Sequence, residues 1–197
     1  PVAMDEARRV FTDMPGITFA ATPNEALAGA DALVLAKMAT THALRHAYAA
    51  GQGTGPVCAQ PDFAQHANNL PALQPSPALP QPFAPLANPA LCVYAVVDSA
   101  DWVARVLAAG IRTVQLRIKD PVEPTLAQQI REAVTLARQT AGAQLFINDH
   151  WQLALDAGAY GVHLGQEDLD TVDLAALRCA GVRLGLSTHS YWEVARA

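Results

Sequence analysis

The chain has 197 residues, 51% of them hydrophobic, and a formal net charge of −5. Only 13 residues are Lys or Arg, which excludes the basic patch or stripe that a nucleic-acid surface needs. Three scattered cysteines, Cys58, Cys92 and Cys179, give neither a disulfide framework nor a zinc spacing, and no apolar run approaches the roughly 18 residues of a membrane span. A reducing cytoplasm is therefore the expected compartment, and neither nucleic acid nor membrane is an expected partner.

In chain order, the spacing predicts a helix over 4–12, a short strand at Ile17–Ala20, a helix near Asn24–Ala28 and a longer helix over Asp31–Ala50. Gly51, Gly53 and Gly55 end that helix. The GQGTG run follows a helix rather than a strand and lacks the Lys-Ser/Thr pair of a nucleotide loop, so it reads as a flexible helix exit. Residues 71–89 hold seven prolines, a density that neither a helix nor a central strand survives. They divide the chain into an α-rich N-terminal segment (1–70), an extended linker (71–89) and a C-terminal part (90–197).

That last part repeats one phrase. Ala109-Gly110, Ala141-Gly142, Ala157-Gly158 and Ala180-Gly181 each close a helical stretch, and each is followed by a short apolar run ending in polar residues. The predicted strands are Cys92–Val97, Thr113–Ile118, Gln144–Ile147, Tyr160–Leu164 and Arg183–Leu186. The helices between them are Asp101–Ala109, one opened by a Thr125/Gln128 capping box, Trp151–Ala157 and Val172–Ala180. A fifth helix starts at Ser190, with Glu193 completing its capping box. Strict alternation with short connections predicts a parallel α/β sheet of five β/α units, with chemistry at the C-terminal ends of the strands.

Those ends carry a consistent set. Gln115, Arg117 and Lys119 share one face of the second strand. Parallel strands are normally apolar on both faces, so this is either a wet edge strand or a barrel interior aimed at an anion. Arg supplies a planar fork and Lys a point charge, a pair suited to phosphate or diphosphate. Asn148-Asp149 and Glu167-Asp168 end the next two strands, and neighbouring strand ends lie about 5 Å apart. Asp149 and Asp168 can therefore share an ion. Oxygen ligands without a Cys or His cluster fit Mg²⁺, although helix capping also explains an Asp at such a position. His163 is as readily a hydrogen-bonded core residue as a catalyst. Ser187 and His189 lack the orienting acid and strained elbow of a hydrolase triad, so hydroxyl contact to phosphate or substrate is the plainer role. His150, Cys92 and Cys179 read as structural or neutral.

QLRIK (115–119), IND (147–149), GVHLGQEDL (161–169) and GLSTH (185–189), in this order, resemble the thiamine phosphate synthase family over roughly 91–197. The resemblance implies a (β/α)8 TIM barrel that joins hydroxymethylpyrimidine diphosphate to a thiazole phosphate and releases diphosphate with Mg²⁺. It implies pyrimidine-diphosphate contacts at Gln115, Arg117, Lys119 and Asn148 and magnesium ligands at Asp149 and Asp168. Ser187 becomes a diphosphate or substrate contact, and Arg117, Lys119 and Ser187 the catalytic set. His150 departs from the family, which often carries Arg after the Asn-Asp pair.

Five units stand where a closed barrel has eight, and the chain opens at Pro1 and stops at Ala197 within a helical pattern. The chain is thus expected to be an incomplete barrel, with an exposed sheet edge prone to self-association. Residues 31–73 resemble the C-terminal tail of hydroxymethylpyrimidine phosphate kinase, and residues 1–35 resemble part of UDP-glucose dehydrogenase. Neither likeness brings a complete site. Two other functions suit the pattern: another phosphate-binding barrel enzyme, such as an isomerase or epimerase, or a non-catalytic module that keeps the ligand pocket.

Overall fold

The computed structural model describes residues 23–53, 55–58, 60–73, 82–119 and 125–197. The expected helix over 4–12 and strand at Ile17–Ala20 lie outside the described residues, as does 74–81 of the Pro-rich stretch. The chain forms two compact units, divided at Pro75/Ser76, with His189–Ala197 grouped with the first unit.

In the first unit, a single helix α1 (Pro23–Arg45) takes the place of the two expected over 24–50. Gly29 between them costs helix stability but does not break a run rich in Ala and Leu. The helix stops at Arg45, five residues short of the expectation. There the His46 ring takes the His42 carbonyl (2.8 Å) and Ala47 N–H tightens onto Leu44 O (3.3 Å). Val34, Met38 and His42, four residues apart, form its buried stripe. The stripe belongs to a small core with the 3-10 turns Phe63–Gln65 and Ala67–Asn69. Asn69, 2% exposed, is the polar centre of that core: its amide donates to Phe63 O (2.9 Å) and bonds His42 Nδ1 (3.1 Å).

The second unit is one sheet of five parallel strands in chain order: β1 (Tyr94–Val97), β2 (Thr113–Leu116), β3 (Gln144–Asn148), β4 (Gly161–Leu164) and β5 (Arg183–Leu186). Helices α2 (Ala100–Ala108), α3 (Leu126–Gln139), α4 (Trp151–Ala157) and α5 (Leu174–Cys179) follow the first four strands. This is the expected run of β/α units. Gly110, Gly142, Gly158 and Gly181 all have left-handed φ, from 65° to 92°, as helix-terminating glycines do. Ser99 and Asp173 cap α2 and α5 through their side chains. Helix α6 (Tyr191–Arg196), in the first unit, begins with Ser190 accepting from Glu193 N–H (3.1 Å), and the Glu193 carboxylate accepts from His189 N–H.

The Thr125 capping box does not form. Thr125 has helical dihedrals (φ −95°, ψ 0°) instead of extended ones, and its side chain makes no cap bond. A neighbouring amide does cap a helix: Gln129 Oε1 accepts from Ala100 N–H at the start of α2 (3.2 Å).

The period-2 pattern sorts the sheet into two faces. Val114, Leu116, Leu145, Ile147, Val162 and Leu164 point to the helices and join Val103, Leu107, Ile130, Val134 and Leu177 in the core. Tyr94, Gln115, Phe146, Asn148, His163 and Gly185 share the opposite face by register. Residues 82–89, within the Pro-rich stretch, form neither helix nor strand, bend at Ala87 and Pro89, and bond to residues at the N-terminal ends of the strands. Ala87 N–H donates to Tyr160 Oη (2.8 Å), Asn88 N–H to Gln144 Oε1 (2.9 Å) and Arg183 Nε to Pro85 O (3.1 Å). Proline removes donors, and polar side chains at the strand starts pair with four of the backbone groups that remain: Pro85 O, Ala87 N–H, Asn88 N–H and Asn88 O. Among the described residues, no helix is long and apolar enough to cross a membrane.

Candidate active site

The candidate residues gather at the C-terminal ends of β2 to β5, and backbone pairing continues just past each strand. Arg117 N–H bonds Val97 O (2.7 Å), Asp149 N–H bonds His163 O (3.0 Å) and Ser187 N–H bonds Leu164 O (3.0 Å). The backbone positions just beyond the ladders are therefore fixed relative to one another.

Strand β2 pairs on both sides, so its polar face is not a wet edge. Gln115 is 4% exposed and donates through Nε2 to Tyr94 Oη (3.3 Å). Tyr94 is 36% exposed as a whole, yet desolvation on its packed side pushes the phenol up to about 12, against the smaller opposing effect of the Gln115 bond. Tyr94 also sits 6.0 Å edge-to-face from Phe146 and 6.3 Å from His163. Two steps along the strand, Arg117 and Lys119 are exposed. They line a groove of about 690 Å³ with Val96, Val97, Asp98, Trp102 and Val106. That groove flanks the edge strand β1 and does not reach the acid pair.

Asn148 is 5% exposed at the end of β3. Asp149 follows with φ 60°, one of two non-glycine residues in left-handed conformation among those described. Asp tolerates that region better than most residues, but the conformation still stores strain, a common trait of functional positions. Helix capping does not explain Asp149: the N-cap of α4 is His150, with no side-chain cap bond. His150 Nε2 instead bonds Ile118 O (3.1 Å), tying this loop to the strand end between Arg117 and Lys119.

Electrostatics show which groups share a space. Partial desolvation, and then the Asp168 carboxylate, raise the Asp149 carboxyl, while His150, Arg117 and the Asn148 bond pull it down. Burial lowers the His163 imidazolium; Asp149 opposes this and Arg117 adds to it. Asp149 is thus the common neighbour of Asp168, Arg117 and His163, and Arg117 also acts on His163. Direct ion pairs are absent from this group among the described residues, and nothing comparable joins Lys119 to the acids. Asp168, on a 3-10 turn (Glu167–Asp170), accepts from Gly165 N–H through Oδ2 (2.8 Å), which fixes the carboxylate at the mouth. Ser187 Oγ lies 3.0 Å from His163 Nε2.

Among the described residues, no group of three or more His, Cys, Asp or Glu is arranged to hold a metal. The acid pair is a donor set of a different kind: two carboxylates at neighbouring strand ends, with the Asp168 charge disfavouring ionisation of Asp149. Mg²⁺ accepts such a set, and zinc does not favour it. Sequence reasoning missed Tyr94, whose place on the interior face follows from alternation along β1, and the tether made by His150.

A model of the family described as thiamine monophosphate synthase matches residues 87–197. The chain belongs to that family. Curated thiamine-phosphate synthases are similar over the same region. The protein of Serratia proteamaculans is 58% identical over 107 residues, 54% of this chain and 50% of its own length. That of Neisseria meningitidis serogroup A is 58% identical over 115 residues, 58% of this chain and 55% of its own length. That of Neisseria gonorrhoeae is 60% identical over 104 residues, 53% and 50%. The chain spans about half the length of these thiamine-phosphate synthases. The five β/α units are accordingly part of a TIM-type barrel.

Proposed function

We propose that this chain carries the pyrimidine-diphosphate half of a thiamine phosphate synthase site, serving a transferase that joins hydroxymethylpyrimidine diphosphate to thiazole phosphate and releases diphosphate. The single observation that carries the proposal is the convergence of Arg117 with the Asp149/Asp168 pair at one strand-end mouth, in a chain of this family.

In this reading the Gln115 amide and Asn148 hold the pyrimidine on the interior face, with Tyr94 fixing Gln115. Arg117 and Lys119 neutralise charge growing on the diphosphate as the CH₂–O bond breaks, and Ser187 donates to a phosphate oxygen. Asp149 and Asp168 would hold Mg²⁺, which when bound supplies Lewis-acid stabilisation of the leaving anion. No side-chain nucleophile is needed, because the thiazole nitrogen attacks the pyrimidine methylene carbon.

A second reading, ligand binding without turnover, is favoured by the groove beside the outer edge of β1, which Arg117 and Lys119 line and Asp149 and Asp168 do not. Exposed Val93, Val96 and Trp102 near that edge also support self-association. Incubating the chain with both substrates and Mg²⁺ separates the outcomes. Thiamine phosphate formation abolished by Arg117→Ala supports the transferase. Binding without product supports the second reading. Neither binding nor product contradicts both, and sedimentation reports the association.

A further inference from the structure

His163 and Ser187 form a pair whose geometry is over-determined. His163 sits opposite Gly185 in register, and a Cβ on Gly185 would lie 2.6 Å from His163 Nδ1. Only glycine at that position lets the imidazole lie against β5 with Nε2 reaching residue 187, 3.0 Å away. The Ser187 backbone is held on both sides: its N–H donates to Leu164 O (3.0 Å), and its carbonyl accepts from Gln166 Nε2 (3.0 Å). A serine needing only to touch a ligand does not require three anchors. The two backbone bonds fix where the Ser187 side chain starts, and the ring contact decides where its hydroxyl proton can point.

A serine hydroxyl has one proton to give. If the ring nitrogen accepts that proton, the hydroxyl offers an incoming anion only lone pairs, which repel it. If the ring donates, the proton is free to point outward. We propose that His163 is a positioning residue for Ser187: its Nε2–H donates to Ser187 Oγ, so that the hydroxyl proton is presented to a phosphate oxygen in the mouth shared with Arg117. Both the Nε2-protonated neutral ring and the doubly protonated ring can donate in this way; only the Nδ1–H tautomer cannot. The ligand part of this inference rests on the proposed function, whereas the direction of the hydrogen bond does not.

The two are tested separately on the full chain. Long-range ¹H–¹⁵N correlation spectra of the His163 ring, without ligand, should show a protonated Nε2 whose shift moves in Ser187→Ala. An Nδ1–H tautomer, or a ring indifferent to Ser187→Ala, overturns the inference. Calorimetry with inorganic diphosphate and Mg²⁺ then follows the consequence. Ser187→Ala and His163→Ala should each weaken binding about tenfold, and the double variant no further, because the two act as one donor. His163→Gln, whose amide can donate from a similar reach, should restore most of the loss. Independent, multiplying losses, or a Gln variant as weak as Ala, contradict positioning. Absence of diphosphate binding by the unaltered chain contradicts the proposed function and leaves the spectra to decide the hydrogen bond.

Discussion

Gly161 of β4 faces Phe146 of β3 in register, and a Cβ on Gly161 would lie 2.5 Å from Phe146 Cε1 and 2.9 Å from Arg183 O. The missing side chain makes room for an aromatic floor. Phe146 packs edge-to-face between Tyr94 (6.0 Å) and Tyr160 (5.7 Å) on the interior face, below the candidate site. One obstructing atom belongs to a buried ring and the other to backbone, so neither can yield cheaply. Gly161→Ala should destabilise the chain by about 1–3 kcal/mol, as overpacking does. Urea unfolding should show a lower midpoint with an unchanged slope; an unchanged midpoint contradicts the packing described.

Gln144 is the polar counterpart at the other end of the strands. At 2% exposure, its Oε1 accepts from Tyr160 Oη (2.6 Å) and Asn88 N–H (2.9 Å), and its Nε2 donates to Asn88 O (3.0 Å). Gln144→Leu keeps the volume but leaves those groups unpaired, which costs about 1–3 kcal/mol for a buried orphan. Limited proteolysis should also cut near Asn88 sooner in the variant. Equal stability and equal cleavage would show that residues 82–90 are not held through this amide.

Asp149 gives a pH dependence of defined sign. Its carboxyl is raised in the folded chain, so between the unfolded value near 3.8 and the higher folded value the native state holds more protons than the unfolded one. Stability from this group therefore falls as pH rises through that window, and the penalty is full at neutral pH. Asp149→Asn, which accepts the same left-handed backbone, should be more stable than the parent at about pH 7 and lose that advantage below about pH 4. Denaturation midpoints at the two pH values decide it; a variant less stable at neutral pH contradicts the sign.

His150 tests whether the loop after β3 supports the cationic strand end. His150→Ala removes the bond to Ile118 O and should cost about 1 kcal/mol. It should also lower diphosphate affinity although Arg117 and Lys119 are untouched. Calorimetry with inorganic diphosphate reads this; unchanged affinity would limit His150 to a local role.

Much of the second unit was legible because two periodicities and one chemical rule agree. Alternation located β2 to β5 to within about two residues, and glycine after each helix marked its end in left-handed conformation. The strand-end position of Arg117, Asp149, Asp168 and Ser187 followed from topology. What could not be read depends on distant partners. Thr125 has the right spacing for a capping box but the wrong dihedrals. The join at Gly29 was overridden by the helix formers around it. The His150 and His163 bonds cross between elements 24 or more residues apart, and no local pattern records them. The bonds made by residues 82–90 were hidden behind a proline density that speaks for extended chain whether docked or loose.

In the proposed function, a cationic strand end and an acid pair hold one magnesium-bound diphosphate. Calorimetric titration of the full chain with inorganic diphosphate, with and without Mg²⁺, tests it most directly. Binding should need Mg²⁺, be lost in Arg117→Ala, and lose its Mg²⁺ requirement together with most of its affinity in Asp149→Asn/Asp168→Asn. Binding of equal strength without Mg²⁺, unaffected by removal of both acids, would contradict it.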